Sequence, residues 1–175
     1  AFQVAIPSWA LGAGGTRFGR FSFYGEPSTL SQKLEDVGVL HALTQSAGAI
    51  SLHIPWDVPE DYTAIKEQAK TLGLVFDAVN SNTFQDQKGA KTSYKFGSLS
   101  SIDEASRVQA ITHNQEVISI GKKLGSKSIT VWLADGANFP GQVNFQTAIQ
   151  QTEKSLHQIY ADLPKDWKIF IEYKP

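Results

Sequence analysis

The chain has 175 residues, of which 41% are hydrophobic and 19% charged, as expected for a soluble globular domain with a real core. Its net charge of -1 provides no long-range field to recruit nucleic acid or an anionic membrane. No apolar run nears the roughly 20 residues that a membrane span needs. The absence of cysteine excludes disulfides and thiolate metal sites, and it is compatible with a reducing cytoplasm.

Short apolar segments alternate with longer amphipathic ones in the first half of the chain. They predict strand 2–9, helix 31–46, strand 50–56, helix 59–72 and strand 74–80. A glycine-rich loop that contains Thr16, Arg17 and Phe18 follows the first strand. Pro59 suits the first turn of the second helix, and Gly73 suits its end.

The same alternation continues in the second half. Ser101 and Glu104 have the spacing of a capping box, which predicts a helix that ends at Gly125. The elements predicted after it are strand 128–133, helix 145–160 and strand 167–173.

Strands that alternate with helices predict parallel strands joined by right-handed crossovers. Two architectures fit, a doubly wound sheet and a (β/α)8 barrel. The Gly12–Gly15 segment lacks the glycine spacing and the following helix of a dinucleotide-binding turn, which argues against a dinucleotide fold. A barrel needs eight strands and typically about 250 residues, so a barrel would require further chain beyond the five predicted units.

Polar and aromatic residues gather where the predicted strands end, which is the edge that carries the chemistry of α/β folds. They are Trp9, His53, Trp56, Asp57, Asn80, Asn82, Phe84, Trp132, Asp135, Asn138, Glu172 and Lys174. Some of this enrichment is automatic, because loops begin at strand ends.

Two titratable residues of this set have competing interpretations. His53 lies between two apolar neighbours, so it is either a hydrogen-bonded core histidine or a proton-transfer group. Glu172 ends a strand expected to be buried, so it must be paired, protonated or bound to a metal. Lys174 shares its face and can satisfy it as an ion pair, and a metal is the competing interpretation.

The aromatic residues are either ordinary core residues or one apolar wall at a barrel mouth, of the kind that stacks on the C–H faces of sugars. They are Trp9, Trp56, Phe84 and Trp132. The loop around Phe18 either caps the core or reaches a neighbouring subunit.

At these residues the sequence resembles L-rhamnose isomerase of the broad-specificity bacterial type, within the xylose-isomerase-like barrels. The resemblance spans nearly the whole chain and rests on these segments: Ile6-Pro-Ser-Trp9, Gly14-Gly-Thr-Arg-Phe18, Ser51-Leu-His-Ile-Pro-Trp-Asp57, Asn80-Ser-Asn-Thr-Phe84, Ser93-Tyr-Lys, Thr130-Val-Trp132, Asp135-Gly and Asn138-Phe-Pro-Gly141. It implies a (β/α)8 TIM barrel, of which residues 1–175 form one partial domain with the first five strands and four helices.

The resemblance also implies a metal-dependent aldose–ketose isomerase that interconverts L-rhamnose and L-rhamnulose, with side activity on sugars such as D-allose. Its implied cofactors are two divalent ions, Mn, Co or Zn, and its implied state is a cytoplasmic tetramer without nucleic-acid or membrane partners. Either a hydride shift or an enediol then moves hydrogen between C1 and C2.

By the same resemblance, individual residues acquire roles. Glu172 is a metal ligand, and Lys174 is a catalytic neighbour that places the substrate near C1. His53 is a catalytic candidate for ring opening. The substrate-binding residues implied are Trp9, Phe18, Trp56, Phe84 and Trp132.

We expect the chain to be one segment of a complete isomerase, both because it begins at Ala1 without Met and because five strands leave the barrel open. Alone, such a segment is expected to be inactive. Two alternatives remain open: a keto-sugar 3-epimerase on the same barrel, and a half-barrel that binds sugars or assembles without catalysis.

Overall fold

A computed structural model describes residues 3–12, 24–133 and 135–173. The strands are β1 (Ala5–Pro7), β2 (Ala49–His53), β3 (Val75–Asn80), β4 (Ser128–Leu133) and β5 (Lys168–Tyr173). The helices are α1 (Leu30–Thr44), α2 (Tyr62–Thr71), α3 (Glu104–Leu124) and α4 (Phe145–Ala161), with short 3₁₀ turns at Ser8–Ala10 and Tyr94–Phe96.

The five parallel strands follow one another in the sheet in chain order. A doubly wound sheet reverses its strand order at a switch point, whereas a barrel does not. The observed order therefore favours the barrel of the two architectures that the sequence left open. In the described residues, β1 pairs with β2 and β2 with β3, with a register irregularity between Ile50 and Leu52.

The chain groups into two compact units, each with its own buried residues. The first comprises residues up to Asn80 together with Ile120–Ser128. Its most deeply buried apolar side chains are Leu34, Val37, Ile50, Leu52 and Val79. The second comprises Ser81–Ser119 and the residues from Ile129 onward, and it buries Leu99, Val117, Ile129, Val131 and Ile159. The single-domain prediction stays a prediction.

Two of the predicted strands end earlier than expected, because the chain turns before the aromatic residues at their ends. β1 stops at Pro7, so Trp9 lies in a 3₁₀ turn. β2 stops at His53, and Trp56 lies in the turn beyond the cis Ile54–Pro55 peptide. Strand 128–133 was predicted with the bounds that β4 has.

The starts of α2 and α3 also differ from the prediction, because different residues cap them. α2 begins at Tyr62 rather than at Pro59, since the Asp61 carboxylate accepts from the amides of Thr63 (2.8 Å) and Ala64 (3.0 Å). The predicted Ser101–Glu104 capping box is wrong.

Asp103 caps α3 instead. It accepts from the Ser106 amide at 2.9 Å and from the Ser106 hydroxyl at 2.6 Å. A capping box that the sequence analysis missed opens α1, where Thr29 accepts from the Gln32 amide and the Gln32 side chain accepts from Thr29.

None of the helices in the described ranges is both long enough and apolar enough to span a bilayer.

β5 is exposed along most of its length, unlike β2 and β4. Phe170, Ile171 and Tyr173 are 49%, 43% and 76% exposed. Ile169 and Ile171 line a groove with α4 residues that include Ile149 and Leu156, here named the α4–β5 groove. Because side chains alternate along a strand, Phe170 and Glu172 lie on the opposite face of β5.

Candidate active site

One buried carboxylate in the first unit links the segment after β1, the start of α1 and the end of β2. Asp57 is 2% exposed and receives three hydrogen bonds. The Lys33 ammonium donates to its Oδ1 at 2.7 Å, and the His53 amide donates to its Oδ2 at 2.8 Å. The Ser8 hydroxyl also donates to Oδ2. We call Ser8, Lys33, Asp57 and the His53 amide the Asp57 network; it satisfies a charge that burial would otherwise destabilise.

Asp57 was among the residues predicted at the strand ends, but its partners Lys33 and Ser8 were not predicted. Lys33 precedes Leu34 in α1 and is buried to 7% exposure, and Ser8 is fully buried. Their partners are 24 and 49 residues away, respectively. The available signal was a lysine within the apolar stripe of a helix, which indicates a buried partner because a lone ammonium is rarely buried.

Three of the predicted site residues contact one another at the carboxyl end of β2. The imidazole of His53 is fully buried and stacks on the Trp56 indole, with ring centroids 3.9 Å apart and planes 29° apart. Trp9 meets the same imidazole edge-on, with centroids 5.6 Å apart and planes 72° apart. These contacts form the Trp9–His53–Trp56 stack, in which one imidazole contacts two indoles, one edge-on and one face-to-face.

Asn80 has a structural role at the end of β3. It is buried, and its side-chain amide donates to the Leu52 carbonyl at 2.9 Å. Its own carbonyl accepts from the Ile54 amide at 2.9 Å. These two bonds fix the end of β3 against the segment that carries His53.

The second unit contains its own aromatic pair. Phe84 and Trp132 have ring centroids 5.1 Å apart and planes 32° apart. Trp132 is 6% exposed, and its carbonyl accepts from the Thr83 hydroxyl at 2.8 Å. The structure thus brings these two predicted residues together, and the Thr83 bond ties the loop after β3 to the end of β4.

A histidine that the sequence analysis did not single out holds the same loop. The amide of Asn82 donates to Nε2 of His113 at 2.9 Å. An Nε2 that accepts carries no proton, so this bond requires a neutral imidazole protonated on Nδ1. His113 lies in the interior of α3, where its spacing gives no signal of a loop contact.

Asp135 closes a loop rather than facing outward as a free acid. It accepts from the Ser98 amide (2.8 Å), the Ser98 hydroxyl (2.7 Å) and the Ser100 amide (2.8 Å). Asn138 likewise serves a turn, where its amide donates to Gln142 at 2.6 Å. The Asp135 carboxylate therefore serves the loop, whereas the Asn138 contact comes from its backbone.

Tyr94, from the Ser93-Tyr-Lys segment, is half-buried beside acidic residues. Burial raises the pKa of its hydroxyl, and the carboxylates of Asp86, Asp135 and Glu116 add to this effect, while a hydrogen bond with Gln109 opposes it. The phenol is therefore neutral at pH 7 and serves as a hydrogen-bonding group.

Glu172 differs from expectation. The prediction that it lies on a buried strand is wrong, because Glu172 is exposed on an exposed β5. Burial therefore does not force Glu172 to take a metal or an ion-pair partner. Lys174 and the Thr16–Phe18 loop lie outside the described residues.

The described residues do not by themselves fit a metal centre. No group of three or more potential His, Asp or Glu ligands occurs within residues 3–12, 24–133 and 135–173. One exposed carboxylate, Glu172, provides a single hard ligand, and a structural or catalytic centre takes three or more protein ligands.

The chain was compared with known protein families, curated proteins and solved structures. No protein-family model matches the chain. The chain is 56% identical to a probable sugar isomerase of Rhizobium meliloti over 174 residues and 54% identical to a probable sugar isomerase of Mesorhizobium japonicum over 173 residues. Each alignment covers 99% of this chain and 40% of the relative, so the chain spans about two fifths of their length.

A solved L-ribulose 3-epimerase has the same fold. It matches 97% of this chain and 48% of its own length, with a TM-score of 0.57 at 16% identity. At that identity the likeness shows the fold alone. The chain thus has an α/β fold of five parallel strands that fits a partial (β/α)8 barrel, and it is similar along its whole length to probable sugar isomerases.

Proposed function

We propose that this chain is a segment of a metal-dependent aldose–ketose isomerase of the L-rhamnose type. The observation that carries the proposal is the Trp9–His53–Trp56 stack, a buried imidazole in contact with two indoles at the end of β2. The 56% identity to a probable sugar isomerase of Rhizobium meliloti supports an isomerase reaction. The choice of L-rhamnose, with side activity on D-allose, rests on the sequence resemblance.

In this proposal His53 opens the sugar ring. Ring opening breaks the C1–O5 bond, removes the proton from the anomeric O1 hydroxyl and delivers a proton to O5. A single imidazole can perform both transfers, because one nitrogen accepts while the other donates. The flanking indoles of Trp9 and Trp56 stack on C–H faces of the sugar and exclude water.

The remaining site residues complete the proposal. By the resemblance, Phe84 and Trp132 also bind the sugar, and Phe18 reaches the site of a neighbouring subunit in a tetramer. Lys174 places the C1 end of the substrate, and Glu172 contributes one carboxylate to a centre of two divalent ions, Mn, Co or Zn. The described residues do not assemble such a metal centre. The metal-binding role of Glu172 therefore rests on the resemblance, and no reaction step is assigned to the metals.

Two alternatives use the same fold. The L-ribulose 3-epimerase likeness fits a keto-sugar 3-epimerase equally well, because the barrel does not discriminate between the two reactions. The exposed β5 fits a half-barrel that binds sugars or assembles without catalysis.

Product analysis by NMR separates these functions. The purified 175-residue chain and the full-length Rhizobium meliloti relative are each incubated with Mn²⁺ and with L-rhamnose, D-allose or D-psicose. We expect the relative to interconvert aldose and ketose at C1 and C2, and the isolated chain to give no turnover. If the only product is the ketose inverted at C3, the function is that of a keto-sugar 3-epimerase and not of an isomerase.

Two further observations complete the test. Metal-dependent turnover by the isolated chain would overturn its inactivity. A stable closed oligomer of the chain by sedimentation, together with sugar binding and no turnover by the relative, would favour the assembly module. In the isomerase case, solvent deuterium at C1 of the product indicates an enediol, and its absence indicates a hydride shift.

A further inference from the structure

The Asp57 network joins three segments that are far apart in the chain. Ser8 follows β1, Lys33 lies in the first turn of α1, and the His53 amide ends β2. Their donors meet on the two oxygens of a single carboxylate. Asp57 is therefore fixed in position as well as satisfied, because three separate elements define where its oxygens lie.

Each ring of the Trp9–His53–Trp56 stack is directly adjacent to this network. Ser8 precedes Trp9, Asp57 follows Trp56, and His53 donates its own backbone amide. The bond from Ser8 holds the chain that carries the edge-on indole. The bond from the His53 amide holds the turn that carries the stacked indole, reinforced by the Asp57 amide, which donates back to the His53 carbonyl at 2.9 Å.

Stability alone does not account for such an arrangement. Replacing a buried ion pair with well-packed apolar residues is often neutral or stabilising, because desolvation offsets the attraction between the charges. What apolar residues cannot reproduce is a set of directional bonds that orient particular backbone groups. We therefore expect the network to fix the distances and angles between the His53 imidazole and the two indoles.

We propose that Asp57 is a positioning residue. Through its bonds with Ser8 and the His53 amide it holds the two indoles against the His53 imidazole, while Lys33 neutralises its charge. This inference rests on the proposed function for its purpose, a correctly oriented proton-transfer group against a sugar. The geometric statement itself is testable without any turnover.

The experiment compares two double variants of the 175-residue chain. Asp57→Leu with Lys33→Met removes every acceptor and both charges, so no lone buried charge remains. Asp57→Asn with Lys33→Met also removes both charges but keeps a side-chain oxygen that can accept from the His53 amide. The single variant Ser8→Ala removes only the bond next to Trp9. The exposed Lys70→Met, which removes an exposed Lys70–Glu67 contact at 4.0 Å, is the matched control.

The readout is the NMR position of the His53 ring protons, identified among the four histidines by their loss in His53→Gln. A stacked imidazole is shifted upfield by the indole ring current. We expect the Leu/Met variant to stay folded and to move these protons downfield, towards an exposed imidazole. The Asn/Met variant should largely restore the native position, Ser8→Ala should give a smaller shift, and Lys70→Met none.

Native ring-proton positions in a folded Leu/Met variant would overturn the inference. So would an Asn/Met variant that is folded but as displaced as Leu/Met, since the acceptor would then not matter. If the Leu/Met chain does not fold, Ser8→Ala decides: an unchanged His53 signal counts against positioning, and a shifted one supports it. Sugar turnover enters none of these outcomes, so failure of the proposed function remains distinguishable.

Discussion

The Lys33 ammonium lies 2.7 Å from an Asp57 carboxylate oxygen, with side-chain exposures of 9% and 1%. Removing one partner leaves the other charge buried and uncompensated. We expect Lys33→Met to lower the free energy of unfolding by about 3–5 kcal/mol.

Urea unfolding followed by circular dichroism measures this loss, with exposed Lys70→Met as the control. We expect the Lys33→Met/Asp57→Leu double variant to recover most of the stability, because it buries no charge. A Lys33→Met chain as stable as the parent would mean that the pair is not desolvated in solution.

The Phe84–Trp132 pair is the second contact whose loss is measurable. Because Trp132 is 6% exposed, truncation leaves a large cavity, and we expect Trp132→Ala to destabilise the chain by about 3–5 kcal/mol. Trp132→Phe should cost less, because it keeps an aromatic ring against Phe84.

Thermal unfolding tests this prediction, and Phe139→Ala is its control. Phe139 is 61% exposed, so its truncation should stay within about 0.5 kcal/mol of the parent. Equal effects of Trp132→Ala and Phe139→Ala would contradict the burial of Trp132.

The Asp103 cap of α3 predicts that the free energy of unfolding decreases at low pH. Hydrogen bonds from the Ser106 side chain and amide hold the pKa of Asp103 below its usual 3.8, with a contribution from the Arg107 charge. A lowered folded-state pKa means that this stabilisation is present above pH 3.8 and is lost as the pH falls through the folded-state value.

Urea midpoints measured from about pH 5 to pH 2 test this cap. We expect Asp103→Asn to lose part of the acid-dependent decline, because Asn can still cap but does not titrate. Asp36→Asn, at an exposed position of α1, is the matched control. A decline that is identical in the parent and in Asp103→Asn would show that Asp103 does not contribute to it.

The single exposed carboxylate of Glu172 predicts weak metal binding by the isolated chain. We expect Mn²⁺ to broaden NMR signals near β5 only at high metal concentration, without saturation at stoichiometric amounts, because one carboxylate cannot replace several waters of hydration. Glu172→Gln should remove that broadening.

Calorimetric titration with Mn²⁺ gives an independent measurement. Tight binding that survives Glu172→Gln would locate a metal centre elsewhere in the chain. Tight binding that Glu172→Gln abolishes would mean that further ligands join Glu172 from residues outside the described ranges.

Much of the architecture could be predicted from local patterns. β4 matched its predicted bounds because a run rich in β-branched residues, Ile129-Thr-Val131, follows shortly after Gly125. The starts of α2 and α3 were misplaced by two or three residues, because several residues before each helix can cap it and sequence alone does not say which one does. The end of β1 was missed because a 3₁₀ turn at Ser8–Ala10 continues the apolar pattern.

The candidate site was predictable only in part. Strand ends pointed to His53, Trp9 and Trp56, since parallel strands bring their carboxyl ends to one edge. Lys33 and Ser8 could not be predicted in the same way. Asp57 lies 24 residues from Lys33 and 49 residues from Ser8, so these bonds depend on how distant segments of the chain pack together. Glu172 was misjudged because the burial of a strand depends on what covers it, which no local pattern records.

The exposed β5 affects how the stability of this chain must be measured. Phe170, Ile171 and Tyr173 are accessible beside backbone groups at the end of the strand order, so another strand or another copy can cover them. Covering stabilises only the folded state, and its contribution then follows mass action. If a second copy covers β5, the melting temperature rises with protein concentration, so it must be measured at more than one concentration.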